Sequence, residues 1–389
     1  PIAFCSLLIL PVLLYISIAP ECLNEYSVCP CSIRLDCLIC TLRAIYRDVG
    51  SNKKNKMKIL QIKGYGDIKS NLTFSEIEKP TISDNQVLIE VYAASINPID
   101  YKIVEGALKQ VRKLTFPTPI GFDVSGVVIK KGNNVNHLNV GDEIYSRVPS
   151  DSPGTFSEFI AINADVVCLK PSNLDFIESS SLPLVGLTTI QSFNKANLKS
   201  GDKVLIHAGS GGIGTFAIQY AKSKGAYVYT TTSTKNVNWV KELGADRVID
   251  YKTENYLDIV KDVNIVYDTL GGNYTEDAFK VIKDCGKVIS IAGAIDDESA
   301  KELGLNGLVR FFLRLKSKKI TKQANSKSAY YKFILMTPNG NQLNDIKSLV
   351  EAEKVKPIID KTFPFSETID ALVYQKSGRA KGKIVVKMK

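Results

Sequence analysis

Beyond its first 40 residues this chain has almost no cysteine and almost no histidine. Six of its 8 cysteines (Cys5, Cys22, Cys29, Cys31, Cys37 and Cys40) lie before position 41, and the body keeps only Cys168 and Cys285. His137 and His207 are its 2 histidines. So few thiols exclude a disulfide scaffold over residues 57–389 and argue against an oxidising compartment. They also leave little from which a zinc site could be assembled, since zinc takes several Cys or His ligands. Long apolar runs are missing too, apart from Ile2 to Ala19. That run sits at the lower limit for a bilayer span, and Pro11 interrupts it. No basic region precedes it as in a signal peptide. Cys29-x-Cys31 and Cys37-x-x-Cys40 are followed by no histidine at finger spacing. Residues 1–56 therefore read as a hydrophobic, Cys-rich extension. The expectation is that Met57 is the working start of a cytoplasmic protein; the alternative is a genuine anchor or targeting segment, which would make it membrane-anchored or organellar.

The chain shows no internal repeat and no low-complexity tract. Its net charge is +10, but the bases are not interleaved with stacking aromatics as a nucleic-acid channel requires, so no nucleic-acid partner is expected. One cluster stands out: Arg310, Arg314, Lys316, Lys318, Lys319 and Lys322. With Leu308, Phe311, Phe312 and Leu315 it reads as the solvated side of an amphipathic helix. A substrate lid or a membrane-surface contact is the alternative.

What is present is a nucleotide-binding βαβ unit at residues 203–250. A β-run, Lys203 to His207, leads into Gly209-Ser210-Gly211-Gly212-Ile213-Gly214. A helical stretch follows, closed by Gly225, and a second β-run, Ala226 to Thr230, completes the unit. In that context G-x-G-x-x-G has a physical meaning. Gly209 serves the tight turn, Gly211 lets a pyrophosphate approach the backbone, and Gly214 lets helix and strand pack closely. The helix N-terminus offers the pyrophosphate N–H groups and the positive end of a dipole. An NAD site carries Asp or Glu about 20 residues beyond the first glycine. Here that region reads Tyr229-Thr230-Thr231-Thr232-Ser233-Thr234-Lys235, with hydroxyls, a cation and no carboxylate. Ser233 and Lys235 suit a 2′-phosphate, so NADPH is the expected cofactor.

At 389 residues, 44% apolar and 23% charged, the chain is an ordinary globular protein long enough for two domains. From Lys58 to about Ser181, short β-runs (Gln86 to Ala93, Val124 to Lys130, Phe156 to Asn163) separated by Gly, Pro and Asn turns suggest a compact β-barrel-like unit. A helix is expected from Pro183 to Asn194. Strands then alternate with helices (Arg247 to Asp250, Asn264 to Asp268, Lys287 to Ala292), which is the doubly wound parallel pattern of an α/β fold. Ile346 to Ala352 reads as a helix; Lys356 to Phe363 and Lys383 to Lys387 read as strands.

This order, β-rich unit, nucleotide-binding unit, return to β, resembles the medium-chain dehydrogenase/reductase family. The local matches cover essentially all of residues 57–389. They include Ser95-Ile96-Asn97-Pro98-Ile99-Asp100-Tyr101-Lys102, Gly121-Phe122-Asp123-Val124-Ser125-Gly126, Val140-Gly141-Asp142-Glu143, Gly154-Thr155-Phe156-Ser157-Glu158, Leu184-Val185-Gly186-Leu187-Thr188-Thr189, Leu243-Gly244-Ala245-Asp246 and Gly382-Lys383-Ile384-Val385-Val386. The chain looks most like the quinone oxidoreductase and enone or alkenal reductase branch. The resemblance implies a GroES-like catalytic domain in two pieces, residues 57–182 and 326–389, around a Rossmann NADP-binding domain at 183–325. In the family's zinc alcohol dehydrogenases a Cys precedes the first active-site helix and a Gly-His-Glu motif follows. Those places here read Asn97 and Gly121-Phe122-Asp123, and the four-cysteine lobe is missing, so the resemblance implies a zinc-independent enzyme.

Its implied activity is NADPH-dependent hydride transfer to the activated double bond of an α,β-unsaturated carbonyl, or to a quinone. It also implies residue roles. Thr188 falls at the nicotinamide end, Tyr251 by the 2′-phosphate, Leu270 in a loop near the cofactor, and Arg379 and Lys381 where the site closes. Asn97 and Lys102 flank the substrate pocket, with Lys102 able to donate to the carbonyl oxygen; a turn-shaping Asn97 and a solvated Lys102 are the plainer readings. His207 reads as a packing residue at a strand end. A non-catalytic NADPH-binding member, crystallin-like or membrane-associated, is the alternative function. A homodimer through the nucleotide-binding sheet is what the resemblance implies for assembly.

Overall fold

The computed structural model describes residues 55–107, 109 and 113–389. The apolar run Ile2 to Ala19, the cysteine pairs after it and the question of a start at Met57 lie outside the described residues.

Among the described residues the strands form three sheets. β1 (Lys56–Ile62) pairs with β2 (Leu72–Glu78) and β4 (Thr118–Pro119) in the smallest. The largest is built on β3 (Gln86–Ile96), which runs antiparallel to β5 (Asp123–Lys131) and to β7 (Phe159–Asn163). β6 (Glu143–Arg147) and β8 (Val167–Leu169) extend it on the β5 side. On the other side the last strands of the chain, β15 (Ile359–Pro364) and β16 (Lys383–Lys387), close onto β3, with Val385 opposite Ser95. The C-terminus thus returns to the sheet that begins near residue 86.

The third sheet is wholly parallel. It takes β9 (Lys203–Ile206), β10 (Tyr227–Thr232), β11 (Arg247–Asp250), β12 (Val263–Asp268), β13 (Ile282–Ser290) and β14 (Tyr330–Phe333) in the order β11-β10-β9-β12-β13-β14. Counted within the sheet this is 3-2-1-4-5-6, the Rossmann order. A parallel strand covered on both faces is apolar throughout, because alternate side chains enter different cores. In β9, Val204 and Ile206 join the core of helices Pro183–Ala196 and Gly212–Ser223, while Leu205 joins the opposite core with Phe279, Val281 and Ile320. The order reverses beside β9, and there the strands' carboxyl ends leave a crevice for a ligand.

Most expected elements appear within two or three residues. β13 differs: Lys287 to Ala292 was the expected strand, and the observed one starts at Ile282. Its first half is disguised by Lys283, Asp284 and a left-handed Cys285 (φ 59°), where the pairing with β12 also shifts register. The helix expected from Ile346 starts six residues earlier, at Gly340, because Asn339 caps it by accepting from the Gln342 N–H at 2.9 Å. Among the described residues no helix is long and apolar enough to cross a membrane.

Candidate cofactor and active site

The glycine loop follows β9 directly and feeds helix Gly212–Ser223. Its glycines are needed for different reasons. The left-handed residue of the turn is Ala208 (φ 53°) rather than Gly209. Gly209 is glycine because a Cβ there would lie 2.3 Å from Thr230 Oγ1. At Gly214 a Cβ would lie 2.2 Å from the Ala208 carbonyl oxygen, so its absence lets the helix pack on the loop. Gly211 is crowded by nothing, since the nearest atom to a Cβ would be 3.4 Å away. Packing inside the protein does not explain a glycine there, whereas the approach of an outside group to the bare backbone does. Gly211 also caps the helix without any side-chain hydrogen bond, leaving the first-turn N–H groups to a ligand. Ser210 and Ile213 are half-buried beside these glycines.

The chain's last segment is tied to this loop. Gly382 N–H donates to the Ser210 carbonyl at 2.9 Å, and a Cβ on Gly212 would meet Lys383 Cδ at 2.9 Å. Arg379, exposed, and Lys381, half-buried, lead into that contact and make no ion pair among the described residues. Two cations therefore precede the strand that touches the glycine loop.

At the ribose end, Thr232 stands in register with Asp250 across β10 and β11, and Tyr251 N–H donates to the Thr232 carbonyl at 3.1 Å. Ser233 accepts from Asn236 Nδ2 at 3.1 Å. Lys235 is exposed on the turn Thr234–Asn236 and has no ion-pair partner among the described residues. The carboxylate of Asp250 is engaged already, accepting from the Lys252 N–H of its own turn at 3.0 Å and from the hydroxyl of Thr234 on the neighbouring turn. A cavity of about 380 Å³ opens alongside, lined by Thr231, Tyr251, Tyr256 and Tyr274 among others. Ser233, Lys235 and Tyr251 are thus brought to one corner of the sheet, one strand away from the glycine loop.

Leu270 is exposed in the loop after β12. That loop is organised by Asp268, a buried carboxylate that the sequence reading passed over. It accepts from the N–H groups of Leu270 (3.0 Å) and Gly271 (2.8 Å) and from the hydroxyls of Thr275 (2.5 Å) and Ser290 (2.7 Å). Thr188 is buried on helix Pro183–Ala196, where its hydroxyl donates to the Leu184 carbonyl at 2.6 Å.

Asn97 and Lys102 part company. Asn97 begins helix Pro98–Val104 and is buried, with both ends of its amide committed. Its Nδ2 donates to Asp123 Oδ2 at 2.9 Å, and its Oδ1 accepts from Lys383 Nζ at 2.5 Å. Lys102, on the same helix, is exposed and makes no ion pair among the described residues. Asp123 is the hub: it also accepts from Ser95 Oγ (2.9 Å) and Leu184 N–H (3.0 Å) and lies 3.4 Å from Lys383 Nζ. Burial pushes the Lys383 ammonium down, against the pull of Asp123 and Asp100. Burial also pushes Asp100 up to about 7, against the hydrogen bond it accepts from Asn97 N–H. Arg147, buried, lies 4.8 Å from the Phe122 ring centroid and completes two cations against two carboxyl groups.

In the sequence Lys383 figures as a strand residue and within the family match Gly382-Lys383-Ile384-Val385-Val386, with no role at the site. A lysine opening the run Lys383-Ile384-Val385-Val386, all four buried, was the available signal.

His207 packs edge-on against Tyr256 and Tyr274, each 5.0 Å away between ring centroids, and burial pushes it down to about 4. It is a neutral core residue, as its place at a strand end suggests.

The sequence matches two family descriptions: "Alcohol dehydrogenase GroES-like domain" over residues 83–172 and "Zinc-binding dehydrogenase" over residues 243–386. It is 34% identical over 342 residues to 2-methylene-furan-3-one reductase of Solanum lycopersicum, a match spanning 85% of this chain and 79% of that protein. It is 33% identical over 341 residues to the chloroplastic NADPH-dependent alkenal/one oxidoreductase of Arabidopsis thaliana, with the same two coverages of 85% and 79%. The solved quinone oxidoreductase of Coxiella burnetii superposes with a TM-score of 0.76 at 32% identity, covering 86% of this chain and 100% of its own. Asn97 and Asp123 bracket a lysine ammonium, and among the described residues no group of three or more His, Cys, Asp or Glu is placed to hold a metal. The chain belongs to the medium-chain dehydrogenase/reductase family, in its quinone oxidoreductase and enone reductase branch.

Proposed function

We propose that this protein is an NADPH-dependent reductase of α,β-unsaturated carbonyls (enones and alkenals) and of quinones, and that it works without zinc. The uncrowded bare backbone of Gly211 carries the reading, since only a group from outside the fold makes use of it. In this reading Gly209, Ser210, Gly211, Gly212, Ile213 and Gly214 hold the pyrophosphate, with Arg379 and Lys381 closing over it. Ser233, Lys235 and Tyr251 take the 2′-phosphate, and Thr188 and Leu270 border the nicotinamide. In this reading residues 57–182 and the return strands Ile359–Pro364 and Lys383–Lys387 form the catalytic domain, and 1–56 an extension. The NADP domain runs from 183 past the expected boundary at 325, because β14 (Tyr330–Phe333) is the edge strand of its parallel sheet. When bound, NADPH supplies a hydride from C4 of its nicotinamide to the electron-poor carbon of the substrate.

The chain's own part is to place charge and exclude water. Lys102, exposed on helix Pro98–Val104 and without an ion pair among the described residues, stabilises the oxygen on which negative charge develops. Asn97 is a positioning residue: Asp123 and Lys383 lock its amide, and with it the start of the helix that carries Lys102. The proposed site of action is the cytoplasm, with an organelle as the second place, supported by the chloroplastic relative. A homodimer through the nucleotide-binding sheet, whose edge strand is β14, is the proposed assembly.

The test is NADPH oxidation by the purified chain against a short alkenal, a cyclic enone and a quinone, with NADH as control. Turnover with NADPH is expected, and Lys235→Ala should cost roughly 1.5–3 kcal/mol of NADPH binding while leaving NADH alone. Tight NADPH binding with no turnover on any acceptor would favour the non-catalytic member instead.

A further inference from the structure

Apolar residues at i, i+3, i+4 and i+7 ordinarily mark the side of a helix that faces the core. In helix Gly307–Ser326 that stripe points outward. Leu308, Phe311, Phe312 and Leu315 hold those positions and are 68%, 52%, 55% and 53% exposed. The packed side is carried by Ser317, Ile320 and Ala324, further along the helix. The first turns are fixed by polar contacts instead: Asn306 Oδ1 accepts from Val309 N–H at 3.0 Å, and Asp297 accepts from both Arg310 and Arg314. At about 100° per residue, the outward line continues toward the C-terminus through Lys318, Lys319 and Lys322. Lys319 is paired with Glu276, but Lys316, Lys318 and Lys322 have no ion pair among the described residues. One exposed face therefore runs from two apolar turns into two cationic turns.

We infer that this face docks on an anionic lipid surface, with Phe311 and Phe312 entering the headgroup–acyl boundary and Lys316, Lys318 and Lys322 meeting the phosphates. Charge chooses the occupant. A second copy packed stripe on stripe would bury the apolar turns but bring no anionic partner to Lys316, Lys318 and Lys322, which would lie at opposite ends of the two-fold contact. An anionic bilayer buries the apolar stripe and answers the lysines at the same time. The contact is peripheral, because the back of the helix stays packed on the protein.

The test uses the full chain with Phe311→Trp and vesicles whose acyl chains are brominated. Trp239, partly buried against the core, is the internal control in the wild type. Vesicles of phosphatidylcholine with phosphatidylglycerol should quench the new tryptophan and not Trp239. Adding Lys316→Glu, Lys318→Glu and Lys322→Glu should weaken vesicle binding by at least roughly tenfold. Absence of quenching on the anionic vesicles would overturn the inference, as would equal quenching by pure phosphatidylcholine. Self-association in sedimentation velocity that Phe311→Ser abolishes, without vesicle binding, would assign the face to a second copy and overturn it too.

Discussion

Lys383 shows how one residue can connect a fold to a site. Its ammonium is buried, held by Asn97 Oδ1, the Ile96 carbonyl and Asp123, and its stem fills the space left open by Gly212. A buried ion pair adds little net stability, but removing one partner leaves the other charge stranded. Lys383→Met should therefore cost about 3–5 kcal/mol in urea unfolding. Adding Asp123→Asn should restore at least about 1 kcal/mol, because the stranded carboxylate is gone. A Lys383→Met midpoint equal to wild type would show that the ammonium is not needed to balance Asp123. Lys102 offers the contrast: with no ion-pair partner among the described residues to strand, its loss should leave that midpoint in place.

At the scale of elements, the glycine loop separates packing from binding. Gly214→Ala puts a Cβ against a backbone carbonyl and should destabilise the protein by about 1–3 kcal/mol, seen as a lower melting temperature without cofactor. Gly211→Ala meets nothing closer than 3.4 Å, so the cofactor-free melting temperature should hold while NADPH affinity drops. If both variants melt alike and bind alike, the two glycines do not have separate tasks. This loop, the strand on each side of it and the missing acid after Thr232 were legible in the sequence, because spacing and local chemistry encode them. The parallel, doubly wound character of the sheet followed from strand and helix alternation, whereas its strand order did not. Three things were not legible. The first half of β13 hides behind Lys283, Asp284 and a left-handed Cys285. The left-handed turn residue is an alanine, Ala208, where glycine is the usual cue. The partners of Asn97 lie 26 and 286 positions away, at Asp123 and Lys383, and no local pattern reports contacts of that span.

For the molecule as a whole, two buried groups set opposing pH dependences. His207, faced by Tyr256, Tyr274, Asp268 and Asp277, is pushed down to about 4 by burial. Between that value and its ordinary 6.5 the unfolded chain binds the proton and the folded one does not. Its contribution to stability is therefore present above about pH 6.5 and is lost as pH falls toward 4. Asp100, faced by Asp123, Lys383 and Arg147, is pushed up to about 7 from 3.8, again by burial. There the folded chain holds the proton that the unfolded one releases. That contribution is full below about pH 3.8 and is lost as pH rises through about 7. Each slope is about 1.4 kcal/mol per pH unit, and over the shared window the two oppose and largely offset each other. Urea unfolding of the wild type should thus change little between about pH 5 and pH 6.5. His207→Phe keeps the ring between the two tyrosines and removes one slope, so stability should fall by about 2 kcal/mol as pH rises across that window. Asp100→Asn removes the other, and stability should rise by a similar amount over the same window. Variant profiles that run parallel to wild type would show that neither group titrates differently in the folded and unfolded chains.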